Sequence, residues 1–213
     1  MGKVILLDNG HGVETKGKRS PDESLLEYKY TREITNMIQD RLVELGYDCR
    51  RIVPEEEDIP LGTRCKRVNN ICDEVGKSNV LLVSVHCNAA ACDGWRNGRG
   101  WSAYTTPGTT NSDILAEEIY KAAYEELKGY SKSFEESELK RNQRPIRKDS
   151  SDGDMDLEEN FWILKNTKCP AVLTENLFQD NKKDVEFLLS EEGKQTIVNI
   201  HVKGIINYIN KIS

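Results

Sequence analysis

Apolar residues recur along this chain in two rhythms that alternate nearly from end to end. Nearly continuous apolar runs at residues 4–7, 80–85 and 171–174, interrupted by Ser84 and closed by Thr174, read as strands covered on both faces, as in a parallel sheet. Residues 47–53 and 100–106 read as further strands, and 161–164 as a short one. Between them the apolar positions fall at helical spacing. Tyr30, Ile34, Met37, Ile38, Leu42 and Leu45 mark a helix over about 23–45, with Gly46 placed to cap it. Leu61, Cys65, Val68 and Cys72 share one face of a second helix that opens at Pro60. A third runs over 114–127, and the last carries Ile197, Ile200, Ile205, Tyr208, Ile209 and Ile212 as an amphipathic cover. Strand and helix in alternation predict one three-layer α/β domain over residues 1–213, with no internal repeat and no linker.

The rhythm breaks between residues 128 and 160, which are rich in Lys, Glu, Ser and Asp and have little periodicity. This stretch reads as a variable polar insertion, either a solvated surface loop or a mobile rim facing a substrate.

Composition narrows the function classes. A chain of 213 residues supports one sizeable core, and 37% hydrophobic with 31% charged residues describes a soluble globular protein. The formal net charge of -6 supplies no basic footprint, which argues against a nucleic-acid partner. No apolar run approaches the roughly 18 residues of a membrane span. The first strand begins at residue 3 or 4 without a separate apolar leader, so synthesis in the cytoplasm is expected. None of the six cysteines forms a Cys-x-x-Cys pair, and reduced thiols packed as small apolar groups are expected. Cys87 and Cys92, close to His86, leave a Cys/His metal site as the alternative.

The chemistry lies at the strand ends. The first strand stops in Asp8-Asn9-Gly10-His11-Gly12, where glycine on either side lets the backbone turn sharply and present an imidazole. The strand over 80–85 ends in His86-Cys87-Asn88, and that over 171–174 in Glu175-Asn176. His11, His86 and Glu175 are thus delivered to one sheet edge, where open α/β sheets place their ligands. The remaining histidine, His201, sits among apolar residues of the last helix and reads as a packed helix residue. Two histidines and a carboxylate are the ligand set of a catalytic zinc that keeps one open position. A further carboxylate is then needed as general base. Near His11 the choices are Glu14, Glu23, Glu27 and Glu33; position favours the head of the first helix, and Glu23 and Glu27 remain equivalent there.

These residues resemble the zinc-dependent N-acetylmuramoyl-L-alanine amidases of the Amidase_3 type, over nearly the whole chain. The resemblance is carried by Leu7 to Gly12, by Leu26-Glu27, by Leu61 with Arg64 and Asn69, and by Ser84-Val85-His86-Cys87-Asn88-Ala89. It continues in Ile163-Leu164-Lys165-Asn166-Thr167, in Pro170 to Asn176, and in Phe178, Asn181 and Gly204-Ile205. Asn9 stands where proline is common, and Asn176-Leu177 replaces a more usual small residue.

The resemblance implies a twisted, mostly parallel sheet of about six strands flanked by helices. It implies one zinc per chain held by His11, Glu27 and His86, with Glu175 as the base. The expected reaction is hydrolysis of the amide between N-acetylmuramic acid and L-alanine in peptidoglycan. Asp8 and Asn88 are then candidates to orient the imidazoles, each with a turn-stabilising bond as the alternative. Arg144, Arg147 and Lys148 are candidates for the oxyanion or for stem-peptide carboxylates. The protein is expected to act as a monomer on the cell wall, after release in the manner of a phage lysin or after export with a removed leader. A zinc peptidase cutting within the stem peptide, or a silent wall-binding module, are the other readings.

Overall fold

Strand β1 (Val4–Asn9) is buried along its whole length, because successive side chains enter two different apolar clusters. The computed structural model describes residues 2–91, 94–141, 143–151 and 153–213. After β1 come α1 (Glu27–Glu44), β2 (Asp48–Arg51), α2 (Leu61–Val75), β3 (Val80–Asn88), β4 (Ser102–Thr105) and α3 (Asn111–Glu126). Then follow α4 (Lys128–Ser131), α5 (Glu136–Lys140), β5 (Leu157–Glu158), α6 (Trp162–Lys165), β6 (Ala171–Phe178), α7 (Lys182–Leu189) and α8 (Glu191–Ile212). The six strands form one sheet in the order β2-β1-β3-β6-β4-β5. All pairings are parallel except that of β4 with β6.

The period of two along the strands sorts the layers. Ile5, Leu7, Leu81, Val83, Val85 and Val172 pack beneath α1, α3 and α8. Val4, Leu6, Val80, Leu82, Ala171 and Leu173 pack beneath α2 and α6. Each valine, leucine or isoleucine among them is worth about 1.5–3 kcal/mol when fully buried. Helix α8 presses so closely on α3 that a Cβ at Gly204 would lie 2.7 Å from the Cα of Ile119. His201 is fully buried, with Nδ1 2.7 Å from the Ile197 carbonyl and Nε2 2.9 Å from Thr174 Oγ1. Cys49, Cys65, Cys72, Cys87 and Cys169 are free and buried. Cys92 lies outside the described residues.

Three expectations are corrected. Residues 161–164 carry no strand: α6 occupies this place, since Ile163 and Leu164 both turn into one apolar cluster, which neighbours on a strand could not do. The 128–160 segment is not simply a solvated loop or rim. It contributes α4, α5 and the edge strand β5, and it buries Tyr130 and Asp156. Arg99 ties it down, bonding Asp184 at the head of α7 at 2.9 Å, Glu138 of α5 at 2.9 Å and Ser133 at 3.0 Å. The first helix also begins at Glu27 rather than near residue 23. Residues 18–26 fold back instead, through a bridge between Arg19 and Leu26 and a left-handed turn at Glu23 (φ 59°).

Candidate metal centre at the carboxyl edge of the sheet

The turn after β1 is built around His11, whose φ of 62° is left-handed. That conformation costs about 1–2 kcal/mol for a residue with a Cβ, and its neighbours explain why it persists. The His11 carbonyl accepts bonds from Arg32 at 3.1 Å and from Arg64 at 3.2 Å. Arg64, 2% exposed, also bonds Asp8 at 2.8 Å, the Asn9 carbonyl at 2.6 Å and Asp58 at 3.1 Å. The flanking glycines are required by space. A Cβ on Gly10 would lie 2.5 Å from the His86 ring, and one on Gly12 2.0 Å from the Asp58 backbone nitrogen.

His86 and Glu175 are direct partners across the parallel β3–β6 pair. Just beyond them the register shifts, with Leu177 at φ 62° forming the irregularity. Asn176 secures this point: its amide donates to the His86 carbonyl at 3.0 Å, and its oxygen accepts from the Trp101 indole at 2.9 Å. Glu27, first residue of α1, enters from the side. The fold-back that delays the helix places it there, its N–H donating to the Lys18 carbonyl at 3.0 Å. Glu23 points outward to an exposed ion pair with Arg19. The tertiary path thus separates two glutamates that are equivalent in the sequence.

Glu27 Oε1 lies 3.5 Å from His11 Nε2 and 3.3 Å from His86 Nδ1, and the two rings meet edge-on at 5.0 Å. One donor atom from each of the three residues lies within 4.8 Å of the others. A four-coordinate zinc with bonds of about 2.0–2.1 Å places its donors about 3.3–3.4 Å apart, so this nitrogen and oxygen set fits that ion. The Glu27 carboxylate is itself fixed, accepting from the Cys87 N–H at 3.0 Å and from Gln179 at 3.0 Å. Glu175 differs: its Oε2 is buried without a hydrogen-bond partner among the described residues.

The electrostatics divide the four groups. Burial lowers His11 to about 4 against the pull of Glu27, so its ring is neutral at pH 7. For His86, burial is outweighed by the bond and charge of Glu27, and its pKa rises. For Glu27, burial is outweighed by His86 and His11, and its pKa falls. Burial pushes Glu175 up to about 7; His86 and Lys18 oppose the rise and Glu27 adds to it.

The other sequence candidates fall elsewhere. Asp8 bonds Ser84 at 2.6 Å and Arg64, and neither imidazole. Asn88 accepts from the adjacent Ala89 N–H at 2.8 Å, the turn-stabilising role. Arg144 is exposed and donates to the Leu139 and Gln143 carbonyls. Arg147 is exposed and stacks on Phe178, its guanidinium 5.1 Å from the ring centroid. Cys87 turns into the apolar core, away from the metal-type cluster. Gln179 and Arg32 were not legible as site residues, since they act through contacts spanning 152 and 21 residues of the chain.

The family model of the N-acetylmuramoyl-L-alanine amidases, Amidase_3, matches residues 5–207. The chain belongs to that enzyme family. It is 26% identical over 219 residues to an endolysin of Bacillus phage SPP1, an alignment covering 99% of this chain and 67% of the endolysin. It is 27% identical over 227 residues to the N-acetylmuramoyl-L-alanine amidase AmiC of Neisseria meningitidis serogroup B, covering 97% of this chain and 53% of that protein. The chain therefore spans about two-thirds of one relative and about half of the other. In fold it is similar to a crystal structure of an N-acetylmuramoyl-L-alanine amidase from Clostridium difficile 630, with TM-score 0.75, 20% identity and coverage of 100% and 99% of the two chains.

Proposed function

We propose that this chain is a zinc-dependent amidase that cuts the bond between the lactyl group of N-acetylmuramic acid and L-alanine in peptidoglycan. One observation carries the reading: His11, Glu27 and His86 bring donors together at zinc spacing beside Glu175, whose buried Oε2 has no hydrogen-bond partner among the described residues. Membership of the amidase family supplies the substrate class.

His11 Nε2, His86 Nδ1 and Glu27 Oε1 would hold the ion, leaving a fourth position open. Bound zinc supplies Lewis acidity that polarises the scissile carbonyl and acidifies water. Glu175 accepts the proton of the attacking water and then delivers it to the departing alanine nitrogen. Its raised pKa suits both halves of that exchange, since it holds and releases a proton near neutrality. The neutral His11 ring presents a lone pair without first losing a proton. Gln179 and the Cys87 N–H keep Glu27 oriented, the work of groups standing behind a ligand. Arg147 is free to meet a stem-peptide carboxylate, whereas Arg144 is occupied by backbone carbonyls. The likeness to a phage endolysin supports action on the wall during lysis.

Digestion of purified peptidoglycan followed by mass spectrometry tests the reading. Stem peptides with a free L-alanine amino terminus are expected, together with loss of activity on chelation and recovery on adding zinc. Cuts inside the stem peptide would replace the amidase with a peptidase. Binding without cleavage would mark a silent wall-binding module.

A further inference from the structure

We propose that Asp113, Asp154 and Asp156 form a second cation site, built for calcium, that clamps the returning end of the 128–160 segment onto α3 and β4. The three carboxylates come from different places. Asp113 lies in the first turn of α3, Asp154 in the loop after α5, and Asp156 just before β5. One oxygen from each lies within 4.8 Å of the others.

The decisive residue is Asp156. It is only 2% exposed, and its Oδ2 accepts from Thr105 Oγ1 at 2.6 Å. Its Oδ1 is buried with no hydrogen-bond partner among the described residues. A buried carboxylate oxygen without a donor is costly unless an ion or a proton meets it. Among the described residues no lysine or arginine forms an ion pair with Asp113 or Asp156, and Lys121 of α3 and Lys211 of α8 pair with Glu117 and Glu118. Burial, with added repulsion from Asp154 and Asp113, pushes Asp156 up to about 7. That is the response of a group lacking a counter-charge.

The donor set selects the ion. All three donors are carboxylate oxygens, with neither imidazole nor thiolate, which favours a hard cation over zinc. Calcium takes 6–8 oxygens in flexible geometry and completes its shell with water, whereas magnesium demands a near-ideal octahedron. Three carboxylates from a helix, a loop and a strand end suit the former. The consequence is structural. β5 is a two-residue edge strand that pairs with β4, so an ion at Asp156 would fasten the entry into that short strand.

The test uses the full chain with zinc held constant. Calcium is titrated from about 0.1 µM to 1 mM, the range spanned by sensor and extracellular sites, while calorimetry and thermal melting are recorded. One calcium per chain and a saturable rise in Tm of several degrees are expected. Asp156→Asn and Asp154→Asn should each weaken calcium binding at least tenfold, leaving zinc content and calcium-free activity unchanged. Should Asp156→Asn fail to fold, the more exposed Asp154→Asn carries the test alone. The proposal is overturned by absence of calcium binding up to the highest concentration, by undiminished binding in Asp154→Asn, or by an equal response to magnesium.

Discussion

His86 and Glu175 sit opposite one another in the β3–β6 register, so their side chains leave the sheet on the same face, one strand spacing apart. This relationship puts a proposed ligand and a proposed base side by side without placing both on the metal. Glu175→Gln keeps the side chain's shape but accepts no proton at neutral pH. Zinc content near one per chain is expected, with turnover lower by about 10²- to 10⁴-fold. Glu27→Gln should instead lose zinc, because Glu27 Oε1 lies against both imidazoles. Metal analysis and hydrolysis rates on the two variants separate the roles; normal turnover in Glu175→Gln would place the base elsewhere.

Gly10→Ala makes a geometric prediction. The new methyl would fall 2.5 Å from the His86 ring, and that ring is the part able to move. A folded protein with a small change in Tm but sharply reduced zinc affinity is expected. Gly12→Ala meets backbone at 2.0 Å and should destabilise the fold itself. Equal zinc affinity in Gly10→Ala and wild type would show that the ring position is not critical.

Activity should fall in acid. A base works ionised, so kcat/KM rises with pH through the Glu175 value and levels above it. That value is about 7 in the metal-free site, and a bound cation draws it downward. The acid limb is therefore expected between the ordinary carboxylate range and about 7. A profile flat down to the pH of zinc loss would argue against Glu175 as the base.

His201 gives a stability prediction separate from catalysis. Burial holds its folded pKa near 4, below the ordinary 6.5, so protons bind the unfolded chain first. The stabilisation is complete above 6.5 and is lost as pH falls toward 4, on the order of 3 kcal/mol at most. His201→Gln should retain zinc and most activity while flattening that part of the stability curve. Denaturant unfolding across this pH range checks it, and loss of zinc from the variant would reassign the ligands.

Much of the fold was legible because its signals are local. Strands β1, β3 and β6 each open with a largely apolar run before their polar carboxyl ends, and the period of 3.6 marks the helices that cover them. The residues missed are those whose local pattern is ambiguous. Phe161 to Leu164 is too short for periodicity to choose between strand and helix, and packing against α2 chose. The two-residue strand β5 offers no periodicity at all and exists because β4 is there to pair with it.

The sequence by itself determined that two histidines and a glutamate emerge at one edge of a parallel sheet, because strand direction and strand ends are written locally. Its motifs also carried the family resemblance, which implied Glu27 as a metal ligand. Only the tertiary structure separated Glu27 from Glu23 on physical grounds. The bridge between Arg19 and Leu26 delays the helix, turns Glu23 to solvent and drives Glu27 between the imidazoles. It alone revealed that Arg32 and Arg64 grip the His11 carbonyl, and that Gln179 holds Glu27. These partners are separated by 21, 53 and 152 residues along the chain. No local pattern encodes contacts of that span; packing of the layers brings them together.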